Sequence, residues 1–181
     1  MTAAPEKNGL LLFHAGEDMI VQNENEYIDS ILPVGYTFSP TDEELINHYL
    51  INKIKNKELP VNIIREVMLY DWPTPEQLTE NYKPIRDQKE WYFFTPRNKI
   101  HLKGGRPSRS TPGGYWKATV AAVDICSNGR TVGQKTTLCF FAGKPGIGNK
   151  TNWIMHEYCI KEYSKSRNSN DMKVSSNSKK I

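Results

Sequence analysis

The chain has 181 residues, of which 38% are apolar and 10% aromatic, and its net charge is +4. This length suits one globular domain with some tail, and the aromatic content excludes a fully disordered polymer. No apolar run approaches the roughly 18 to 20 residues of a membrane-spanning helix and the N-terminus lacks a signal-peptide pattern, so we expect an intracellular protein without a membrane partner.

The charge is distributed very unevenly along the chain. Residues 1–30 carry a net charge of −5, residues 31–94 of −3 and residues 95–181 of +12. Such a concentration favours a polyanionic partner, which charge alone leaves open between nucleic acid and an anionic membrane surface. The three cysteines are odd in number and widely spaced, which fits reduced thiols rather than a disulfide framework.

Composition divides the chain into three segments. Residues 1–30 are acidic and amide-rich, and we expect a flexible N-terminal extension. Residues 31–163 hold most of the apolar patterning and form the predicted folded domain. Residues 164–181 are rich in Ser, Asn and Lys, which predicts a flexible basic polar tail.

Helical signals concentrate in the first half of the folded domain. Thr41 can cap a helix and Glu44, three residues later, can complete a capping box, so a helix is predicted from Asp42 to about Lys55. Two shorter helical turns are predicted at Pro60–Val67 and Thr74–Asn81.

From Glu90 onwards the pattern changes to β-branched and aromatic runs. These runs predict strands at Glu90–Phe94, Tyr115–Ile125, Val132–Ala142 and Thr151–Ile160. Ser127-Asn128-Gly129 predicts a hairpin turn, because Asn-Gly tolerates the positive φ that such turns require. The fold class is therefore α+β, with a twisted, meander-like antiparallel sheet flanked by a few helices.

A basic segment precedes the second predicted strand. Between residues 95 and 117 there are six cations and no carboxylate: Arg97, Lys99, Lys103, Arg106, Arg109 and Lys117. Long cations free of local carboxylates suit phosphate contacts, and interspersed glycines let a backbone approach closely. A solvated basic loop is the alternative interpretation, and the nucleic-acid interpretation is favoured over it.

The strand that follows this segment has two different faces. Strand alternation puts Tyr115, Lys117 and Thr119 on one face and Trp116, Ala118 and Val120 on the other. An aromatic side chain in a strand is more often part of a core than a recognition element, so Trp116 is predicted to be structural. Lys117 is the better candidate for contact with DNA.

Four strings in this sequence carry a resemblance to a known family. Leu32-Pro-Val-Gly-Tyr-Thr-Phe-Ser-Pro-Thr-Asp-Glu-Glu-Leu45 resembles the opening motif of the plant NAC domain, and Glu90-Trp-Tyr-Phe-Phe94 is similar to its central strand. Gly114-Tyr-Trp-Lys-Ala-Thr119 and Thr151-Asn-Trp-Ile-Met-His-Glu-Tyr158 resemble two further blocks in the same order. Together they cover about residues 31 to 161.

The resemblance implies a nuclear, sequence-specific DNA-binding transcription factor that acts as a homodimer or heterodimer with other NAC proteins. It implies no metal, no cofactor and no catalysis. The edge of the sheet is expected to enter the major groove of double-stranded DNA. The DNA contacts are expected from Arg106, Arg109, Lys117, Thr119, Lys135 and Lys144. Dimerisation is expected through the opening motif, at Leu32, Pro33, Gly35 and Glu44.

This sequence departs from the family pattern at functional positions. Val120-Ala-Ala-Val123 stands where the family commonly has Gly, a small or polar residue, Asp and Lys, while Thr136 and Ile147 replace commonly basic residues. Thr37 replaces an Arg that would pair across the dimer with a residue matching Glu44. These departures motivate a second hypothesis, a NAC-like interaction module that heterodimerises with other NAC factors and binds DNA weakly.

Three other signals are set aside. Gly143–Thr151 resembles a phosphate-binding loop, but Asn149 breaks the required Gly-Lys spacing, and a Gly-rich hairpin turn is predicted instead. His156, Glu157 and Cys159 lack the spacing of a zinc site or a nucleophile and are interpreted as packed strand residues. Asn149-Lys-Thr151 fits a glycosylation acceptor, which would require a secretory signal.

Overall fold

The structure, a computed structural model, describes residues 32–82, 84–85, 88–96 and 109–160 and the backbone of residues 172–179. The chain divides into two units, Met1–Tyr36 and Thr37–Ile181. The described part of the first unit is a β-turn, in which the Tyr36 amide donates to the Pro33 carbonyl at 3.0 Å and Gly35 has a φ of +87°. All described helices and strands belong to the second unit.

The first helical segment, α1, begins as Asp42–Glu44, continues as a π-helix at Leu45–Leu50 and ends as Ile51–Ile54. Thr41 caps it, since the Glu44 amide donates to Thr41 Oγ1 at 3.2 Å and the Thr41 amide donates to Glu44 Oε2 at 2.8 Å. The predicted helix and its capping box are confirmed. The π-helical stretch, which the sequence did not predict, contributes four buried side chains: Leu45, Ile46, Tyr49 and Leu50.

Three short elements connect α1 to the sheet. They are strand β1 (Arg65–Glu66), a 3₁₀ turn (Leu69–Asp71) and helix α2 (Pro75–Asn81). The predicted helix at Thr74–Asn81 is confirmed, with the Thr74 hydroxyl as its N-cap. The predicted helical turn at Pro60–Val67 is wrong, because β1 instead pairs in parallel with the strand at residues 90–96. The β-branched residues of the segment 60–67, which are Val61, Ile63, Ile64 and Val67, suit an extended backbone.

The remaining strands complete an eight-stranded sheet in the described part of the chain. They are β2 (Glu90–Pro96), β3 (Ser110–Thr111), β4 (Gly114–Ala118), β5 (Val123–Ser127), β6 (Arg130–Ala142), β7 (Asn149–Ile160) and β8 (Met172–Lys179). The strand order is β1-β2-β8-β7-β6-β4-β3, with β5 also paired to β6. Every pairing except β1 with β2 is antiparallel, so the predicted fold class is confirmed.

Both predicted hairpin turns are confirmed. Asn128 and Gly129 have φ values of +49° and +73° and connect β5 to β6. The segment from Gly143 to Gly148 connects β6 to β7 as a turn between paired strands, in which the Gly148 amide donates to the Lys144 carbonyl at 2.8 Å. A phosphate-binding loop would instead lead into a helix N-terminus.

Two predictions on strands are corrected. The single strand predicted at Tyr115–Ile125 is two strands, β4 and β5, interrupted at residues 119–122. The range 164–181 was predicted to be a flexible tail, but its residues 172–179 form β8, which pairs with β2 on one side and β7 on the other. Backbone groups make these ladders, so a Ser- and Asn-rich composition does not reveal them.

The sheet is covered on both faces. One face packs against the 3₁₀ turn and α2 through a core that includes Leu69, Leu78, Trp116, Leu138 and Met155. The prediction that Trp116 is structural is thereby confirmed. On the opposite face α1 covers the start of β6 and the end of β7, leaving the far end of these strands outside its cover.

Gly133 on β6 provides a test of how α1 packs on the sheet. A Cβ at this position would lie 2.7 Å from the Cys159 carbonyl oxygen and 2.8 Å from Cδ1 of Ile46. We expect Gly133→Ala to lower the free energy of unfolding by about 2 to 3 kcal/mol through overpacking, measured by urea denaturation. Gly146→Ala is the control, since it meets only the backbone cost of a positive φ, about 1 kcal/mol. Equal effects of the two substitutions would contradict the packing.

Candidate nucleic-acid interface

Two exposed lysines flank an aromatic pair at the end of the sheet that α1 does not cover, and a third exposed lysine lies in the adjoining turn. Tyr115 on β4 and Phe141 on β6 are cross-strand partners whose rings stack with centroids 5.3 Å apart. Lys117 Nζ lies 5.7 Å from the Phe141 ring centroid, and Lys150 on β7 is the cross-strand partner of Phe141. Lys144 lies in the adjoining β6–β7 turn. We call these five residues the basic–aromatic end.

This arrangement matches the predicted faces of β4. Lys117 is exposed and shares a face with Tyr115, whereas Trp116 is buried in the core on the other face. Flat aromatic rings beside amine groups suit contact with a polyanion that carries ring systems, because cation–π and phosphate contacts are both possible there. Of the predicted DNA contacts, Lys117 lies on β4 beside Phe141, and Lys144 lies in the turn that follows β6.

Thr119 marks the point where β4 leaves the ladder. Its amide donates to the Thr137 carbonyl at 3.2 Å, and the chain then follows no strand until Val123 pairs with Lys135. The two partner residues on β6, Thr137 and Lys135, are two positions apart, whereas Thr119 and Val123 are four positions apart. Val120, Ala121 and Ala122 must therefore project from the sheet as an enlarged bulge.

Arg109 does not extend towards solvent. Its Nη2 lies 2.6 Å from Oε2 of Glu157 on β7, whose side chain is only 4% exposed. Burial alone would lower the pKa of Arg109, but the charge of Glu157 and its hydrogen bond outweigh burial and raise it. Tyr70 of the 3₁₀ turn interacts with both groups, and burial raises the pKa of its hydroxyl. Arg109 is therefore placed as an internal anchor.

Lys135 is also engaged within the protein. Its Nζ lies 3.0 Å from both carboxylate oxygens of Asp42 at the start of α1, and the Tyr158 hydroxyl donates to the same carboxylate at 2.7 Å. Burial would raise the pKa of Asp42, but hydrogen bonds from Tyr158 and Lys135 lower it overall. The contact therefore stabilises the fold above the ordinary aspartate pKa and is lost as pH falls through the lowered value.

The structure leaves one predicted DNA contact undescribed and gives two other residues roles that the sequence did not predict. Arg106 lies outside the described residues. Lys150 was considered only as part of a phosphate-loop pattern, and its position beside Phe141 depends on the β6–β7 register, which is irregular between Cys139 and Phe141. Glu157 shares strand parity with the core residues Trp153 and Met155, and a carboxylate on a core face requires a cationic partner.

The four predicted dimer residues lie in two local structures. Leu32, Pro33 and Gly35 belong to the β-turn of the first unit, where Val34, between Pro33 and Gly35, is 98% exposed. Glu44 lies in the capping box of α1, where hydrogen bonds from Thr41 lower its pKa. Glu44 therefore has a role within its own chain, and its contribution to a dimer stays a prediction.

Comparison with known proteins identifies the family. The family model described as "No apical meristem (NAM) protein" matches residues 33–160. NAC domain-containing protein 2 of Oryza sativa subsp. japonica is 48% identical over 130 residues, which are 70% of this chain and 39% of that protein. The chain belongs to the plant NAC family.

Two further NAC relatives agree with this assignment. NAC domain-containing protein JA2 of Solanum lycopersicum is 44% identical over 153 residues, 83% of this chain and 42% of the relative. NAC transcription factor ONAC010 of Oryza sativa subsp. indica is 48% identical over 139 residues, 74% of this chain and 31% of the relative. This NAC chain thus spans about two fifths or less of the length of each of these three relatives.

The described part of this NAC chain contains no helix that is long and apolar enough to cross a membrane. Within the same residues, no group of three or more His, Cys, Asp or Glu side chains could hold a metal ion. The features that the structure does bring together are the lysines and aromatic rings of one sheet end and the apolar bulge at the adjoining edge.

The Arg109–Glu157 pair gives a prediction on stability. We expect Glu157→Gln to lower the free energy of unfolding by about 3 to 5 kcal/mol, because it leaves the guanidinium partly buried without its counter-charge. The double variant Arg109→Met/Glu157→Gln should recover part of that loss, which urea denaturation of all four proteins in a double-mutant cycle would measure. Additive effects of the two substitutions would contradict the coupling.

Proposed function

We propose that this protein is a nuclear, sequence-specific DNA-binding transcription factor. The observation that carries the proposal is the basic–aromatic end, where Lys117 and Lys150 flank two stacked rings at an uncovered end of the sheet and Lys144 lies in the adjoining turn. The strongly positive charge of residues 95–181 supports it. Membership of a family with a relative named as a transcription factor supports it further.

The proposed mechanism separates docking from reading. Lys117, Lys144, Lys150 and Arg106 contact phosphates, which supplies affinity without sequence information. The strand edge at Lys117–Thr119 enters the major groove, whose width admits a β-ribbon. Arg109 acts as a positioning residue, because its pairing with Glu157 fixes the chain where the basic segment rejoins the sheet. Lys135 contributes mainly by holding α1.

A salt-dependence measurement tests the docking step. Lys117→Ala and Lys144→Ala should each lower DNA affinity and reduce the slope of log K against log salt by about 0.9, the value for one released phosphate contact. Arg106→Ala should behave in the same way, while Arg109→Ala should chiefly lower stability. The probe is the duplex pool enriched by random-site selection, and binding is measured by fluorescence anisotropy.

Lys57→Ala is the matched control for these substitutions. Lys57 is exposed just after the turn that follows α1. At the end of α1, Lys53 pairs with Glu66 of β1, so this end of α1 lies at the sheet edge remote from β4. Its removal should leave the salt slope unchanged. Equal slopes for Lys57→Ala, Lys117→Ala and Lys144→Ala would remove the support for a localised interface.

A second candidate function is an interaction module that heterodimerises with other NAC factors and binds DNA weakly. It is favoured by the internal pairing of Arg109 and Lys135, which reduces the charge available to phosphate. Random-site selection with this protein alone and with a NAC partner separates the two functions. Enrichment by the protein alone supports direct DNA reading, whereas enrichment only in the mixture supports the interaction module.

The proposed dimer forms through the opening motif, at Leu32, Pro33, Gly35 and Glu44. The nearly complete exposure of Val34 in a preformed turn supports this proposal, because a partner chain would bury it. Val34→Glu should raise the dimer dissociation constant about tenfold or more, measured by sedimentation velocity. Ile147→Glu, an exposed apolar residue in the β6–β7 turn, should leave dimerisation unchanged. Equal weakening by both would contradict this site.

A further inference from the structure

The enlarged bulge between β4 and β5 is an exposed apolar projection beside a basic surface. Val120 and Val123 retain 58% and 60% of their accessible surface, and Ala121 and Ala122 are exposed between them. None of these side chains can donate or accept a hydrogen bond. A partner that buries these side chains would therefore have to offer apolar groups.

The backbone fixes where these side chains project. The Thr119 amide is bound to the Thr137 carbonyl, and Val123 is paired with Lys135, so three residues oppose the single residue Thr136. Bulges of this kind occur at sheet edges and re-aim side chains away from the ladder. The apolar side chains thus lie at the rim of the sheet, directly after the exposed Lys117 and Ala118 of β4.

The surrounding charges favour a nucleic-acid partner over a protein partner. Lys117 precedes the bulge. Asp124, the first carboxylate after it in the chain, accepts hydrogen bonds from Gln134 (2.8 Å) and Thr131 (3.5 Å), and Asp42 of α1 is paired with Lys135, the cross-strand partner of Val123. Two valines and two alanines also provide far less surface than the roughly 800 Å² per partner of a stable protein interface. The patch fits a small apolar feature of a large anionic ligand.

We propose that Val120–Val123 recognise the 5-methyl groups of thymine in the major groove, giving this protein a preference for thymine-bearing sites. This inference rests on the proposed DNA-binding function. The thymine methyl is the apolar group that base pairs present in the major groove, and small apolar side chains are its usual partners. A polar or charged edge would instead select hydrogen-bonding base edges.

The test removes or adds only the methyl group. The wild-type protein is titrated with alternating A·T duplex and with the same duplex containing deoxyuridine, and separately with alternating G·C duplex with and without 5-methylcytosine. We expect each methylated duplex to bind about four- to fifteenfold more tightly than its unmethylated counterpart, which corresponds to burial of one or two methyl groups.

Three variants connect this effect to the bulge. Val120→Ser and Val123→Ser should each bind the methylated and unmethylated duplexes with nearly equal affinity, while their salt slopes and unfolding midpoints stay close to wild type. Ile147→Ser, an exposed apolar position in the neighbouring turn, should retain the full discrimination.

Three other outcomes would contradict methyl recognition, its assignment to the bulge, or the proposed function. Equal binding of both members of each duplex pair by the wild-type protein, with a normal salt slope, would overturn methyl recognition and leave the proposed function intact. Discrimination that survives Val120→Ser and Val123→Ser would overturn the assignment to the bulge. No binding to any duplex at low salt would overturn the proposed function together with this inference.

Discussion

The buried ion pair between Arg109 and Glu157 is the constraint on which the rest of the candidate interface depends. It joins the residue that leads into β3 and β4 to a core-facing carboxylate on β7, and Tyr70 packs against both. A charge buried to this degree is tolerated only with its partner in place, so the pair fixes the path of the chain as it enters the sheet. This fixed path also determines the position of the exposed face of β4.

The same pairing divides the cations of the basic half into two groups. Arg109 and Lys135 neutralise carboxylates of the same chain, and their charge stabilises the fold. Lys117, Lys144 and Lys150 are exposed at one end of the sheet and are available to an anionic ligand. A count of charge along the sequence therefore overstates the charge at the interface, and only the fold separates the two groups.

Much of the architecture could be predicted because local chemistry determines it. The capping box at Thr41, the Asn128-Gly129 turn and the alternation that buries Trp116 each depend on residues close together in sequence. The interruption of β4–β5 and the strand at residues 172–179 depend on which partner strands are present, and composition carries no record of that. The Arg109–Glu157 pair joins residues 48 positions apart and escaped prediction for the same reason.

The proposed recognition surface is a sheet edge that has a basic part and an apolar part. In this proposal, phosphate attraction by the lysines brings DNA to this end, and the bulge at Val120–Val123 contacts the bases. The most direct measurement is hydrogen–deuterium exchange with and without the selected duplex DNA. The account predicts slowed exchange in peptides that cover residues 119–123 and 143–148, with no change in α1. Protection confined to α1, or no protection in residues 119–123 at saturating DNA, would contradict it.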